Sequence, residues 1–336
     1  MDATDYSEAI EKTRFIKRIK NISDEVEGRP LTVALIGCVG VGKSSLINTI
    51  AAALSTGRWR EYAYSGMRGN MAEPVTTHTK RFPRCCQPDS MDTEKLPTLL
   101  DIAGFPEAMD WIWEKVLQLL FYGRIPENEN LKNVYDYLTR QREDASIIPK
   151  YIRTYDHLKV DRVIVVCSAN EEVPEHLLDS VMRAARPFDG PAKRNIPIFC
   201  AMTKSDTVDE TGDPIVRQRR NAVIASLGLQ GSEHRFAMCT NYCSAVDPFD
   251  LRLEQTLPGL DVPVLKFFTQ VCDPVIAVDH ANQNYPWTLY GKQIYFTAWN
   301  HYHCYIVLHF VYEMTLPNNK VDAQWLESLR YFLIVY

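Results

Sequence analysis

One short segment has the residues and the spacing of a phosphate-binding loop. Residues 37 to 44 read GCVGVGKS, which matches the pattern G-x-x-x-x-G-K-[ST], and they directly follow the apolar run LTVALI. In such a loop the backbone N–H groups surround the phosphates, the lysine neutralises β- and γ-oxygens, and the hydroxyl binds a divalent cation. We therefore predict a catalytic role for Lys43, magnesium binding by Ser44, and phosphate contacts from Gly37, Cys38, Val39, Gly40, Val41, Gly42, Lys43, Ser44 and Ser45.

A second group of residues predicts the magnesium site and a γ-phosphate contact. The sequence DIAG, from Asp101 to Gly104, ends the apolar run PTLLD and matches the D-x-x-G element of P-loop hydrolases. At a strand end, Asp101 can hold Mg²⁺ through water, and Gly104 can donate its N–H to the γ-phosphate. The run EPVTTHTKRF lies between the loop helix and this strand. There we expect Thr77, with Thr76 as the alternative, to reach magnesium and to serve catalysis.

A third group of residues predicts which base is bound. Thr203, Lys204 and Asp206 belong to the sequence TKSD, which follows the apolar run IPIFCAM and matches the [NT]KxD element. A carboxylate at Asp206 accepts from both N1–H and the 2-amino group of guanine, while Lys204 lies over the ring. Adenine lacks this donor pair, so the element favours GTP over ATP. Farther along lies the sequence TNYCSA. We expect Asn241 and Tyr242 to wall the base, and the pair Ser244-Ala245 to offer a backbone N–H to guanine O6.

Apolar runs and helical patterns alternate along the chain, as a parallel sheet requires. The run from Leu31 to Ile36 is typical of a strand buried on both faces, and Met109 to Tyr122 has the pattern of an apolar helix. We expect an α/β fold of the P-loop GTPase type, with a doubly wound, mostly parallel sheet and flanking helices. Further strands are predicted at 97–100, 160–167, 196–202 and 235–239.

Three regions are predicted along the chain. Residues 1–30 form an amphipathic leading helix that stops at Gly28 and Pro30. Residues 31–275 form a GTPase-like domain with an insertion at about 105–158, because that spacing is too long for a simple crossover. Residues 276–336 form an aromatic-rich C-terminal segment with no clear period.

Composition narrows the class of protein. The formal net charge of −5 argues against binding a nucleic-acid polymer, which requires an excess of clustered Lys and Arg. Nine cysteines at irregular spacings fit neither a disulfide framework nor a zinc site, so we expect a reducing, cytoplasmic location. The sequence has no apolar run of roughly 20 residues, so a membrane span is not indicated.

The motifs, in their order, resemble those of the interferon-induced protein 44 family, within the translation-factor-like P-loop GTPases. The matching sequences are GKSSLIN, DIAGF, FYGRIPEN, LKVDRVIVVCSA, MTKSD and TNYCSAVDP, which together span roughly Leu31 to Val275. The resemblance implies a cytoplasmic protein that binds GTP or GDP with Mg²⁺ and is linked to the interferon immune response. The protein partner stays unknown, and self-association stays open.

Two residues depart from the pattern of a fast hydrolase. Phe105 stands where small GTPases place a glutamine that orients the attacking water, and Val39 stands where the loop often has glycine. We therefore expect a slow GTPase or a GTP-dependent switch. Two alternatives stay open: a non-catalytic interaction module whose nucleotide is structural, and a P-loop ATPase or kinase, against which the TKSD element counts.

Overall fold

The computed structural model describes ten ranges of the chain, all between residues 3 and 274. They are 3–22, 25–26, 28–55, 60–64, 78–82, 96–140, 149–186, 195–209, 212–242 and 256–274. The predicted magnesium threonines Thr76 and Thr77, the pair Ser244-Ala245 and the C-terminal segment 276–336 lie outside these ranges.

Two antiparallel strands, β1 (Glu25–Val26) and β2 (Arg29–Pro30), precede a six-stranded main sheet. The order in the main sheet is β4-β5-β3-β6-β7-β8. The edge strand β4 runs antiparallel to β5, and every other neighbouring pair is parallel. The strands are β3 (Thr32–Ile36), β4 (Lys80–Phe82), β5 (Thr98–Asp101), β6 (Arg162–Ser168), β7 (Ile198–Thr203) and β8 (Phe236–Met238).

The three central strands are buried, which agrees with their apolar sequences. All residues of β3, β6 and β7 are buried, as expected for apolar, β-branched runs with both faces covered. From β3 the chain reaches the edge strand β4, comes back through β5, and then continues to β6 on the other side of β3. Strand order therefore reverses at the carboxyl end of β3, and ligands of open α/β sheets bind at such a point.

Seven α-helices accompany the sheet in the described ranges. They are α1 (Ala3–Ile22), α2 (Lys43–Leu54), α3 (Trp111–Phe121), α4 (Leu131–Arg140), α5 (Glu175–Ala185), α6 (Pro214–Ser226) and α7 (Pro258–Cys272). Helix α7 packs against α1 and α2, whereas α3 packs against α4 and α5. The predicted α/β class, with a mostly parallel sheet and flanking helices, is confirmed. No described helix combines the length and the apolar character needed to cross a bilayer.

The leading helix α1 is fixed to the sheet domain by a buried ion pair. Lys12 Nζ lies 2.6 Å from Asp261 Oδ2 of α7, and their side chains are 10% and 0% exposed. On the same helix, Ile19 is fully buried. Removing one partner of such a pair would leave an uncompensated buried charge, so the pair holds α1 in place.

Helix α3 begins within the predicted insertion, at a well-formed cap. The Asp110 side chain accepts hydrogen bonds from the N–H groups of Ile112 and Trp113, both at 3.0 Å. These bonds satisfy donors that a helix N-terminus otherwise leaves free. Because α3 packs on α5 and follows β5, it serves the connection toward β6. The domain boundaries themselves stay a prediction.

Candidate nucleotide-binding site

The predicted phosphate loop connects β3 to α2 at the carboxyl edge of the sheet. Gly42 is the N-cap of α2 and has a φ of 91°, which L side chains rarely adopt. Its conformation lets the loop turn into the helix, so that the free N–H groups of the first turn face the space above the sheet edge. A helix N-terminus with such a loop attracts anions.

The Lys43 side chain is folded back beneath the loop. Its Nζ donates to the carbonyl oxygens of Gly37 at 3.1 Å and Cys38 at 2.7 Å, and the residue is only 7% exposed. Burial lowers the pKa of Lys43 from 10.5 to about 8, and the nearby Asp101 carboxylate raises it in part. A phosphate beside this amine would supply the negative charge that favours its protonated form.

Ser44 and Asp101, the two described residues predicted to serve magnesium, meet directly. Ser44 Oγ donates to Asp101 Oδ2 at 2.9 Å, and strand pairing places Asp101 opposite Leu35 near the end of β3. Asp101 is 3% exposed, and its Oδ1 atom is buried without a hydrogen-bond partner. Burial raises the pKa of Asp101, while the Ser44 bond and Lys43 oppose that rise. An unsatisfied carboxylate oxygen beside a hydroxyl fits a hard cation such as Mg²⁺.

Ser44 and Asp101 are not part of a larger cluster of metal-binding side chains in the part of the chain that the structure describes. Within the described ranges, no group of three or more His, Cys, Asp and Glu residues is arranged to hold a metal ion. Mg²⁺ characteristically keeps several waters and takes few carboxylates together with phosphate oxygens. The donor set of Ser44 and Asp101 therefore suits a cation that arrives with a nucleotide.

The segment after Asp101 lies against the phosphate loop. Phe105 pairs with Cys38 in a parallel bridge, and its N–H donates to Gly37 O at 3.1 Å. The Phe105 ring is 1% exposed and meets Trp113 edge-on, with centroids 5.5 Å apart. Trp113 in turn stacks on Tyr135 at 4.6 Å. Phe105 is thus a core residue, at a position where small GTPases carry a glutamine that orients water.

The predicted base-reading segment follows β7. The Thr203 hydroxyl donates to Val41 O at 2.6 Å, which ties this segment to the phosphate loop. Lys204 has a φ of 59°, and its Nζ lies 2.6 Å from Glu171 Oε1. Asp206 lies in the short 3₁₀ turn Ser205–Thr207 and is exposed. The structure therefore places the predicted guanine reader on the same sheet edge as the phosphate loop.

The two residues expected to wall the base have different surroundings. Asn241 Nδ2 is 3.5 Å from Gly42 O. Tyr242 is fully buried, and its hydroxyl donates to Asp261 Oδ1 at 2.9 Å. A buried carboxylate on α7 therefore holds the Tyr242 hydroxyl in the core, and a role for Tyr242 beside the base stays a prediction.

Sequence reasoning missed Glu171, which pairs with Lys204. The available signal was position: Glu171 follows the buried strand β6, next to β7 in the sheet. Because parallel strands end at the same edge, a polar residue after β6 comes close to residues after β7. The nearby Asn170 Nδ2 also donates to Thr207 Oγ1 at 3.2 Å. The loop after β6 is therefore part of the candidate site.

No protein-family model and no curated protein matches this chain. Among solved structures, this chain is similar to a dimerization-deficient mutant of Toc33 from Arabidopsis thaliana. The two sequences are 13% identical, the match covers 79% of this chain and 92% of the Toc33 chain, and the TM-score is 0.42. Toc33 in complex with Mg²⁺ and GMPPNP is 12% identical, with coverages of 82% and 95% and a TM-score of 0.39. A probable GTP-binding protein, engB, is 15% identical, with coverages of 62% and 88% and a TM-score of 0.32. The resemblance to the interferon-induced protein 44 family stays a prediction.

Proposed function

We propose that the protein binds GTP and GDP with Mg²⁺ and acts as a slow GTPase or a GTP-dependent switch. The observation that carries the proposal is the hydrogen bond from Ser44 Oγ to Asp101 Oδ2, which joins the phosphate loop to the end of β5. The Lys43 amine lies in the same loop, held by backbone carbonyls. A loop of this kind beside a buried carboxylate suits a polyphosphate and its cation.

Each part of the site has a distinct role in this proposal. The N–H groups at the start of α2 bind the phosphates, and Lys43 neutralises their charge. Ser44 and Asp101 hold Mg²⁺, which stabilises negative charge that develops on the phosphoryl oxygens. Asp206 accepts from guanine, and Lys204, positioned by Glu171, covers the ring.

Phe105 supports the proposal of slow hydrolysis. Its ring is 1% exposed and packs on Trp113, so this side chain neither contacts nor orients a water molecule. The same observation supports a second candidate function, a non-catalytic interaction module whose bound nucleotide is structural. In both cases the nucleotide binds, and the two functions differ in whether phosphate is released.

Binding can be tested by calorimetry with GTP, ATP and xanthosine triphosphate. We expect Lys43→Ala to weaken GTP binding by about 100-fold, because it removes the buried positive charge. The control Lys266→Ala changes an exposed lysine of α7 and should leave affinity unchanged. Asp206→Asn should reverse the preference from GTP to xanthosine triphosphate, because the 2-oxo group of xanthine accepts a hydrogen bond from an amide N–H. Retained GTP affinity in Lys43→Ala, or retained GTP preference in Asp206→Asn, would contradict the proposal.

Single-turnover hydrolysis at saturating Mg²⁺ separates the GTPase from the non-catalytic module. Phosphate release above the level of an Asp101→Ala control would establish the slow GTPase. Release equal to that of the control, with tight GTP binding intact, would establish the module.

A further inference from the structure

A chain of buried polar groups joins α1 to the segment predicted to lie beside the base. Lys12 Nζ of α1 lies 2.6 Å from Asp261 Oδ2 of α7. The other carboxylate oxygen, Oδ1, accepts from the Tyr242 hydroxyl at 2.9 Å. The Lys12 and Asp261 side chains are 10% and 0% exposed, and Tyr242 is fully buried. One buried carboxylate therefore links the leading helix to the residue after Asn241.

The backbone of this segment is fixed to the phosphate-loop helix. Tyr242 N–H donates to Thr49 Oγ1 of α2 at 2.9 Å, and Thr49 is fully buried. Thr49 in turn donates to Ser45 O, one turn earlier in α2, at 2.7 Å. The preceding residue, Asn241, has its Nδ2 atom 3.5 Å from the carbonyl oxygen of Gly42, the N-cap of α2. Tyr242 is thus held at two points, by its backbone on α2 and by its hydroxyl on α7.

The Lys12 charge strengthens the bond at the Tyr242 hydroxyl. Burial raises the pKa of Asp261, while Lys12 and the Tyr242 hydroxyl oppose that rise. Without Lys12 the carboxyl group would bind a proton more readily, and a neutral carboxyl accepts a hydrogen bond more weakly than a carboxylate does. Lys12 also donates to Thr256 Oγ1 at 3.4 Å, and Leu257 N–H donates to the Tyr242 hydroxyl oxygen. Detaching α1 would therefore loosen Tyr242 and the start of α7 together.

We propose that Lys12 and Asp261 are positioning residues for the base end of the nucleotide site. Through Tyr242 they hold Asn241 against the phosphate-loop helix, so that docking of α1 and binding of a guanine nucleotide strengthen each other. This inference rests on the proposed nucleotide function and adds to it a regulatory role for the leading helix. Because such coupling is reciprocal, bound nucleotide holds α1 in place, and release of α1 lowers nucleotide affinity by the same factor.

Calorimetric titration of the full chain with GDP and Mg²⁺ tests the first direction of the coupling. We expect Lys12→Met to weaken GDP binding about five- to tenfold, at the lower end of typical couplings between sites. Lys12→Arg keeps the positive charge and should retain most of the affinity. The matched control Lys17→Met changes an exposed lysine of the same helix and should bind GDP as wild type does.

A double variant separates positioning from stability. Replacing a buried ion pair by apolar side chains is often neutral for folding, so Lys12→Met/Asp261→Leu should melt close to wild type and above Lys12→Met. The Tyr242 hydroxyl nevertheless lacks its carboxylate in this variant, so GDP affinity should stay about five- to tenfold weaker than in wild type. Recovery of GDP affinity together with thermal stability would assign the pair a structural role alone and overturn the proposal.

Hydrogen exchange on wild type tests the reverse direction without any substitution. Saturating GDP should slow exchange of the α1 amides around Lys12 about five- to tenfold. Tyr242→Phe removes the hydroxyl, so in this variant GDP should still protect α2 and no longer protect α1. Exchange of α1 that GDP does not change in wild type, or undiminished GDP affinity in Lys12→Met, would overturn the coupling and leave the proposed nucleotide binding standing. Wild type that binds no GDP would overturn the proposed function itself.

Discussion

The two ends of the candidate site are built differently. At the phosphate end, Lys43 is 7% exposed and Asp101 is 3% exposed, and both are held by short hydrogen bonds. At the base end, Asp206 is exposed, and the Lys204 and Glu171 side chains are 32% and 45% exposed. The phosphate end is therefore organised by the core before any ligand arrives. The base end lies at the surface, and its charged side chains are exposed or partly exposed.

This difference predicts where substitutions act most strongly. Removing a buried, hydrogen-bonded charge changes the free energy of folding or binding several-fold more than removing one partner of an exposed ion pair. Changes at the phosphate end should therefore abolish binding or alter folding, whereas changes at the base end should shift affinity and selectivity modestly. The four predictions below run from the first kind to the second.

The largest effect is expected from Asp101→Ala, which removes the buried metal ligand. In wild type, adding Mg²⁺ should tighten GTP binding, whereas in the variant this gain should fall by about 100-fold, since one charged ligand is lost. Calorimetric titration of GTP with Mg²⁺ and with EDTA measures the gain in each protein. As a control, Asp136→Ala changes a carboxylate of α4 and should keep the wild-type gain. An equal gain in wild type and Asp101→Ala would show that the metal lies elsewhere.

The next prediction concerns the pH dependence of stability without nucleotide. Burial holds the Lys43 pKa at about 8 in the fold against 10.5 when unperturbed. Below pH 8 both states carry the charge, so folding bears the full penalty of burying it. Between pH 8 and 10.5 the unfolded chain binds more protons than the fold, so stability rises with pH. Wild type should therefore gain stability relative to Lys43→Met as the pH rises from about 8 toward 10, in melts with EDTA. A difference that is constant with pH would contradict this prediction.

Thr203→Val tests the bond that joins the two ends. Thr203 is fully buried, and its hydroxyl is 2.6 Å from Val41 O. The isosteric change leaves that carbonyl without its donor, which costs about 1–3 kcal/mol of stability and about fivefold or more in GTP affinity. Thr203→Ser keeps the hydroxyl and should retain most of the affinity. If the two variants bind GTP equally, the bond does not couple the ends.

The same contrast between the two ends of the site explains which parts of it can be predicted from the sequence. Contiguous motifs carry the phosphate end: the loop, its strand and its helix all lie between Leu31 and Leu54, so pattern and spacing suffice. The apolar run Leu31 to Ile36 corresponds to β3, and 235–239 contains β8. The edge strand β4 was not predicted, because its sequence KRF is polar and one residue of it is exposed.

The sequence does not reveal contacts between residues that lie far apart along the chain. Tyr242 follows β8 in the expected place, yet its hydroxyl binds Asp261 of α7, which also pairs with Lys12 of α1. Those residues are 19 and 249 positions from their partners along the chain. Local patterns do not report such pairings, which here hold the Tyr242 hydroxyl in the core. Phe105 is a similar case, since only the packed structure shows that it joins Trp113.

The smallest effect is expected from Glu171→Gln at the base end. The ion pair with Lys204 is exposed, so its loss should change GTP affinity only about two- to threefold, as expected for surface pairs of about 0.2–1 kcal/mol. The neighbouring exposed residue gives a matched control, Glu172→Gln, which should bind GTP as wild type does. Since salt screens exposed charges, the difference between the two variants should shrink at high ionic strength. A loss larger than that in Thr203→Val would show that the base end is as tightly organised as the phosphate end, and the contrast between them would fail.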